Sequence, residues 1–161
     1  MSYTTKRLVV FAFLLACVLN TDAQSYCPSQ SDFPWEEWIE SVQIGDLSNE
    51  NNGKSRDFNT AGYSNFTDLN APSVAKGNSI EFSFSSGRSG TTPAGFWSVF
   101  IDFNQDGDFT DAGENVLRQE VNAQTVAGRF DIPATAESGT TRLRIILAKE
   151  GFAQACDDPD R

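Results

Sequence analysis

Gly95 to Glu114 reads GFWSVFIDFNQDGDFTDAGE, and the relation between its two halves decides the fold. The second half, Phe100 to Glu114, places Asp102, Asn104, Asp106 and Asp108 at alternate positions, with Gly107 for a sharp turn and Asp111 and Glu114 following. A hard cation such as Ca²⁺ takes six to eight oxygens, and a tight loop with side-chain oxygens at positions 1, 3 and 5 supplies them. With Asp102 as position 1, Gly107 falls at position 6 and Asp108 offers its backbone carbonyl at position 7. Position 12 is Gly113, and the carboxylate arrives one residue late as Glu114. In an EF-hand a helix leads into such a loop. Here the lead-in, GFWSVFIDF, is aromatic and β-branched and reads as a strand. The expectation is an EF-like calcium loop joining two strands; a solvated turn rich in Asp, Asn and Gly is the competing reading.

Working outward, Ser79 to Ser85 (SIEFSFS) alternates Ile80, Phe82 and Phe84 with serines and Glu81, the pattern of a half-buried antiparallel strand. Phe96 to Phe103 is apolar at successive positions, as expected of a central strand. Further strands are predicted at Trp38–Ile44, Asn115–Gln119, Thr125–Ile132 and Arg142–Leu147. A short helix near Trp35–Ser41 competes with the first of these. Polar loops are expected at Asn49–Asn59 and Ser86–Gly95, and Tyr63–Leu69 fits either a short strand or an aromatic-anchored turn. Six or seven short strands with turn signals between them indicate an all-β, antiparallel two-sheet sandwich.

The chain has 161 residues and a formal net charge of −10. Lys6 and Arg7 precede an apolar run from Leu8 to Leu19, followed by a polar stretch with small Thr21 and Ala23, the layout of a secretory signal cleaved after residue 23. The apolar run is shorter than the roughly 20 residues a bilayer needs. A lipoprotein box ending in Cys17 is the alternative. Removing residues 1–23 takes away Lys6, Arg7 and Asp22, leaving 10 basic and 21 acidic residues, a balance of −11. That charge weighs against nucleic acid and anionic membranes, whose binding proteins carry basic patches. Cys27 and Cys156 then remain as an even pair, and export permits a disulfide. Such a bridge would close a loop of about 130 residues, worth at most roughly 5 kcal/mol in the chain-entropy model; two free buried thiols are the alternative.

Three blocks together resemble the GEVED domain: Ser25–Cys27 with Glu37–Asn49 (EWIESVQIGDLSN), Trp97–Glu114, and Ile132–Ile145 (IPATAESGTTRLRI). The resemblance implies an ancillary module of secreted or surface proteins, in Bacteroidetes-type bacteria, with a part in adhesion or ligand binding and none in catalysis. It also implies a closing Gly-Glu-Val-Glu-Asp strand after the late cysteine. The sequence runs ACDDPDR to Arg161 without it, so the expected domain, 24–161, is a C-terminally shortened one.

Enzymatic chemistry finds little footing. There is no histidine, Ser89 lies in GRSGTT rather than a nucleophile elbow, and no Gly-rich phosphate loop is present. Glu36, Glu37, Glu81, Glu120 and Glu137 are expected as solvated surface charges. The expected partner is an extracellular protein or a glycan. For the glycan, Trp35, Trp38 and Tyr63 are candidate stacking residues, against the commoner role of aromatics in packing. Arg142 and Arg144, on the outward face of the last strand, are expected to pair with nearby carboxylates, with contact to an acidic ligand as the alternative.

Overall fold

A computed structural model describes residues 26–31, 35–50, 58–88 and 94–156. The predicted leader, Cys17, Ser89 and the chain end beyond Cys156 lie outside the described residues. Seven strands follow in order: β1 (Glu37–Ile44), β2 (Leu47–Glu50), β3 (Ser79–Arg88), β4 (Ala94–Ile101), β5 (Asn115–Asn122), β6 (Thr125–Asp131) and β7 (Leu143–Ala148). They form two antiparallel sheets, ordered β2-β1-β3-β6 and β5-β4-β7. No α-helix occurs among the described residues beside the single 3-10 turn Phe58–Thr60. The expected sandwich is therefore the fold found, and no described helix is long and apolar enough to cross a membrane.

Alternation builds the core. Phe82 and Phe84 of β3 point inward opposite Val42 and Ile44 of β1 and Val126 of β6, while Trp97, Val99 and Ile101 of β4 face them from the other sheet. The rings of Phe82 and Phe130 stack at 4.2 Å between centroids. Trp97, Phe84 and Phe130 are each at most 1 % exposed, and full burial of side chains this size contributes roughly 1.5–3 kcal/mol apiece.

Strand β4 is buried on its outer face as well. Phe100 is 3 % exposed because Phe109 from the following loop and Ala155 from the chain end cover it, with Tyr26 and Ile146 at the margin. Phe152 sets its ring edge-on against Phe96 at 5.2 Å, and the Arg118 guanidinium lies 4.8 Å from the centre of the Phe152 ring. Tyr26 and Ala155 thus join Phe100 and Phe109 in a second small core outside the three-stranded sheet. The Cys27–Cys156 disulfide, spanning 129 residues, ties their segments together.

The strand expected at Trp38–Ile44 is found as β1, so the competing helix is ruled out, and two other expectations need correction. The tryptophans Trp35 and Trp38 do not share a helix, because β1 begins at Glu37 and Trp38 pairs with Gly87 of β3. Serine and glycine at 86–88 continue β3 instead of opening a loop, since Ile39, Trp38 and Glu37 supply partners. Glu37 is not a solvated charge. Its side chain is 6 % exposed and forms an ion pair with Arg88 between the sheets, at the end where β4 begins. Gly95 makes room for the pair: a Cβ there would lie 2.8 Å from Glu37 Oε1 and 2.7 Å from Leu147 Cδ1. Of the other glutamates, Glu36 bonds Lys149 at 2.8 Å and Glu81 bonds Arg129 at 2.9 Å at the surface.

Candidate cation site

The acidic loop runs from the end of β4 to the start of β5. Its mouth is closed by backbone bonds, Ile101 N–H to Glu114 O at 2.9 Å and Glu114 N–H to Asp111 O at 3.2 Å. Asp102 is fully buried and acts as the loop's internal cap. Its Oδ1 accepts the Gln105 N–H at 2.6 Å, and its Oδ2 accepts the Gly107 N–H at 3.1 Å and the Tyr26 hydroxyl at 2.6 Å. Aiming these amides inward requires a left-handed backbone at Gln105 (φ +58°) and Gly107 (φ +98°). Glycine adopts that conformation without steric cost; glutamine does not. The Asp102 backbone is held too, its N–H donating to Arg142 O at 3.1 Å and its carbonyl accepting the Thr141 hydroxyl.

Glu114 stands beside Asp102, 2 % exposed. Its Oε1 accepts the Phe103 N–H at 2.9 Å, whereas its Oε2 is buried without a hydrogen-bond partner. Burial pushes the Glu114 carboxyl above its ordinary value; the Asp102 charge adds to this, and nearby backbone N–H groups oppose it.

The remaining acids point outward. Asp106, Asp108 and Asp111 offer carboxylate oxygens that all lie within 4.8 Å of one another. Asn104 joins them, its Nδ2 donating to Asp106 Oδ2 at 2.9 Å and to Asp111 Oδ2 at 2.7 Å. Successive Asx turns run through the same atoms, with Asp106 N–H on Asn104 Oδ1, Asp108 N–H on Asp106 Oδ1 and Thr110 N–H on Asp108 Oδ1. The Asp106 carboxyl is held below the usual carboxylate value, first by the Asp108 N–H and then by the Asn104 side chain. The two sequence readings of this stretch thus share one geometry: a carboxylate oxygen that caps a turn leaves its partner oxygen facing out.

Of the six residues read as ligands, Asp106, Asp108 and Asp111 come together as a cluster, with Asn104 bridging two of them. Asp102 and Glu114 lie behind as a buried pair. Tyr26 and Thr141 carried no local sequence signal for this site. Tyr26 reaches it from beside Cys27, with its ring packed near Phe109 and Phe100 of β4. Its hydroxyl is pushed up to about 12, first by burial and then by the bond to and charge of Asp102, so it remains a donor. Among the described residues, no carboxylate pairs with Arg142 or Arg144 as expected. Arg142 stacks 4.9 Å over the Tyr26 ring, and Arg144 stacks 5.0 Å over Phe109. Arg144 also donates to Cys27 O at 2.7 Å and to Ala155 O.

The aromatic candidates lie elsewhere. Trp35 is 41 % exposed and Tyr63 39 % exposed. Trp38 fills the space that a Cβ at Gly87 would take, and its indole N–H donates to Glu40. Tyr63, Phe66 and Leu69, with Thr60, Asn65 and Asp68, line an open cavity of about 470 Å³.

Residues 96–160 match the model of the GEVED domain family, a span that takes in β4 from Phe96 onward, the acidic loop, β5 to β7 and Cys156. This part of the chain is GEVED-like, and GEVED domains are non-catalytic modules. The match includes the middle and late sequence blocks and leaves out Ser25–Cys27 and Glu37–Asn49. No curated protein and no solved structure matches the chain.

Proposed function

We propose that the protein is an exported, non-catalytic interaction module whose acidic loop takes up calcium. The observation that carries this reading is the convergence of Asp106, Asp108 and Asp111 within 4.8 Å on the outer side of a loop whose buried side is framed by Asp102 and Glu114. Three carboxylates at that spacing repel one another, and a divalent cation relieves the repulsion. The donor set is all oxygen, which suits Ca²⁺ rather than zinc or copper. Turning the Asn104 side-chain amide over would aim its oxygen at the cluster, at the cost of the Asp106 N–H bond that this oxygen now accepts. The orphaned Glu114 Oε2 adds a buried negative charge behind the cluster, a charge that a cation would offset. Asp102 frames the loop, because its oxygens already accept two backbone N–H groups and a hydroxyl. Export is supported by the Lys6–Arg7 and Leu8–Leu19 layout and by the disulfide, a bond that persists in oxidising compartments.

Calorimetric titration tests the reading. Calcium uptake is expected with a dissociation constant on the order of 10⁻⁴–10⁻³ M, the range of extracellular modules, and Asp106→Ala is expected to abolish it. Absence of uptake at about 10 mM calcium, well above that range, removes the proposal.

A second reading rests on the exposed Tyr63 and its cavity. Aromatic rings beside Asn65 and Asp68 suit the apolar face and hydroxyls of a sugar, so the module would bind a glycan there. Retention on a glycan array that survives chelator and disappears in Tyr63→Ala supports it; retention unchanged in that variant refutes it.

A further inference from the structure

Resting on the Tyr63 reading above, we propose that Arg142 and Arg144 form the anion-reading end of that saccharide site, so that the ligand is an acidic glycan carrying a uronate carboxylate. The chain holds 22 acidic residues against 12 basic ones, and in such a setting a cation ordinarily finds a carboxylate. These two do not. The Arg142 guanidinium lies 4.9 Å over the Tyr26 ring and makes no ion pair or hydrogen bond among the described residues. The Arg144 guanidinium lies 5.0 Å over Phe109 and donates to the Cys27 and Ala155 carbonyls, neutral acceptors that leave its charge uncompensated. Burial holds Arg144 below its ordinary value, the Tyr63 phenol counters this, and the like charge of Arg142 adds to it. Each arginine is thus a positive charge fixed by a ring on the outer side of the three-stranded sheet. An anion there relieves their repulsion, and the planar fork of Arg142, with its N–H donors, matches a carboxylate.

The arginines adjoin the cavity. Tyr63 stands near enough for its phenol to act on the Arg144 charge. Its turn is bonded to the segment beneath the arginines through Ser31 N–H and Ala61 O at 2.7 Å, and Tyr26 and Cys27 of that segment are the residues Arg142 and Arg144 engage. Within the cavity, Asn65 Oδ1 accepts the Thr67 N–H at 3.0 Å, which leaves the Asn65 amide nitrogen as a donor. Tyr63 and Phe66 offer apolar ring faces beside it. An acidic peptide would need the arginines alone. Ring faces with an amide donor alongside suit the apolar face and hydroxyls of a sugar. The sugar ring lies in the cavity, and its carboxylate, or that of the next unit, reaches the arginines.

Affinity of the full chain for a galacturonate oligomer, compared with the methyl ester of the same oligomer, tests this. The ester keeps rings and hydroxyls and removes only the charge. Calorimetric titration in chelator, where no calcium occupies the acidic loop, is expected to show the acid bound at least about tenfold more tightly than the ester, the scale of one charge-assisted hydrogen bond. Arg142→Gln should erase that difference and leave the affinity for the ester in place. Arg142→Lys keeps the charge without the fork, so it should reduce the difference by a smaller factor; this variant carries the test if the glutamine variant does not fold, and an undiminished difference in it overturns the role of the fork. Absence of binding to the acid, equal affinity for acid and ester, or a preference that survives in Arg142→Gln overturns the proposal. So does a glutamate oligomer of equal charge bound as tightly as the sugar acid, because the arginines would then read a peptide. Tyr63→Ala separates the two ideas. If the parent binds acid and ester alike and the variant binds neither, the Tyr63 cavity stands and the arginine end is removed. If the acid preference depends on Arg142 and is indifferent to Tyr63→Ala, the cavity reading is removed and the arginines remain as the anion site.

Discussion

Replacing Glu114 by glutamine is expected to stabilise the calcium-free protein, although it removes a carboxylate from a loop defined by carboxylates. Glu114 is 2 % exposed, stands beside the buried Asp102, and leaves Oε2 without a partner. The substitution keeps Oε1 for the Phe103 N–H and puts a donor where an orphaned acceptor stood, next to a negative charge. A buried group left unsatisfied costs about 1–3 kcal/mol, and for a chain of this size about 4 °C of melting temperature accompanies each kcal/mol. In chelator, Glu114→Gln should therefore melt roughly 4–12 °C above the parent. Calcium acts in the opposite sense. At about 10 mM and the affinity expected of extracellular modules, binding stabilises the parent by about 1.4–2.7 kcal/mol. The variant should gain less, because one negative charge near the ion is gone. Differential scanning calorimetry with and without calcium reads both effects. A variant that melts at or below the parent in chelator refutes the reasoning, since Oε2 would then have a favourable role of its own.

Phe109→Ala should cost about 3–5 kcal/mol in denaturant unfolding, because Phe109 covers Phe100 and also meets Tyr26 and Arg144; a loss below about 1 kcal/mol would mean the outer cluster rearranges freely. Glu37→Ala removes the buried ion pair with Arg88 between the sheets and should destabilise by about 3 kcal/mol, the low end for breaking a buried pair; a neutral result in thermal melts would show that the pair contributes nothing to stability. Tyr26 holds its proton more tightly folded (about 12) than unfolded (about 10), so the stability it adds is complete below pH 10 and is lost as pH rises through 12. The difference in melting temperature between the parent and Tyr26→Phe, measured in chelator, should accordingly shrink across that interval; a difference constant with pH contradicts the assignment.

The strands were legible where one face is apolar and the other polar. Ile80, Phe82 and Phe84 announce β3 and its orientation, and GFWSVFIDF announces a strand covered on both sides. The leucine-to-glutamate strand β2 was not legible. Four residues, LSNE, carry no period, and they become a strand because a turn at Gly45–Asp46 folds them back onto β1. Likewise Ser86–Arg88 has a loop's composition and is held in β3 by cross-strand partners. Glu37 looked like any surface glutamate because burial with Arg88 depends on residues 51 positions apart meeting at the end of the sandwich.

The acidic loop divides along the same line. Its spacing of Asp, Asn and Gly determined the turn, since side-chain oxygens two or three residues from a backbone N–H bond it whatever the rest of the chain does. The spacing could not say which carboxylates face solvent and which are buried, because Asp102 and Asp106 are both positions of one alternating acidic run. That separation was decided by Tyr26, Thr141 and Arg142, which arrive from both ends of the chain. Local periodicity is written into neighbouring residues, whereas burial is a property of whatever distant surface comes to cover them.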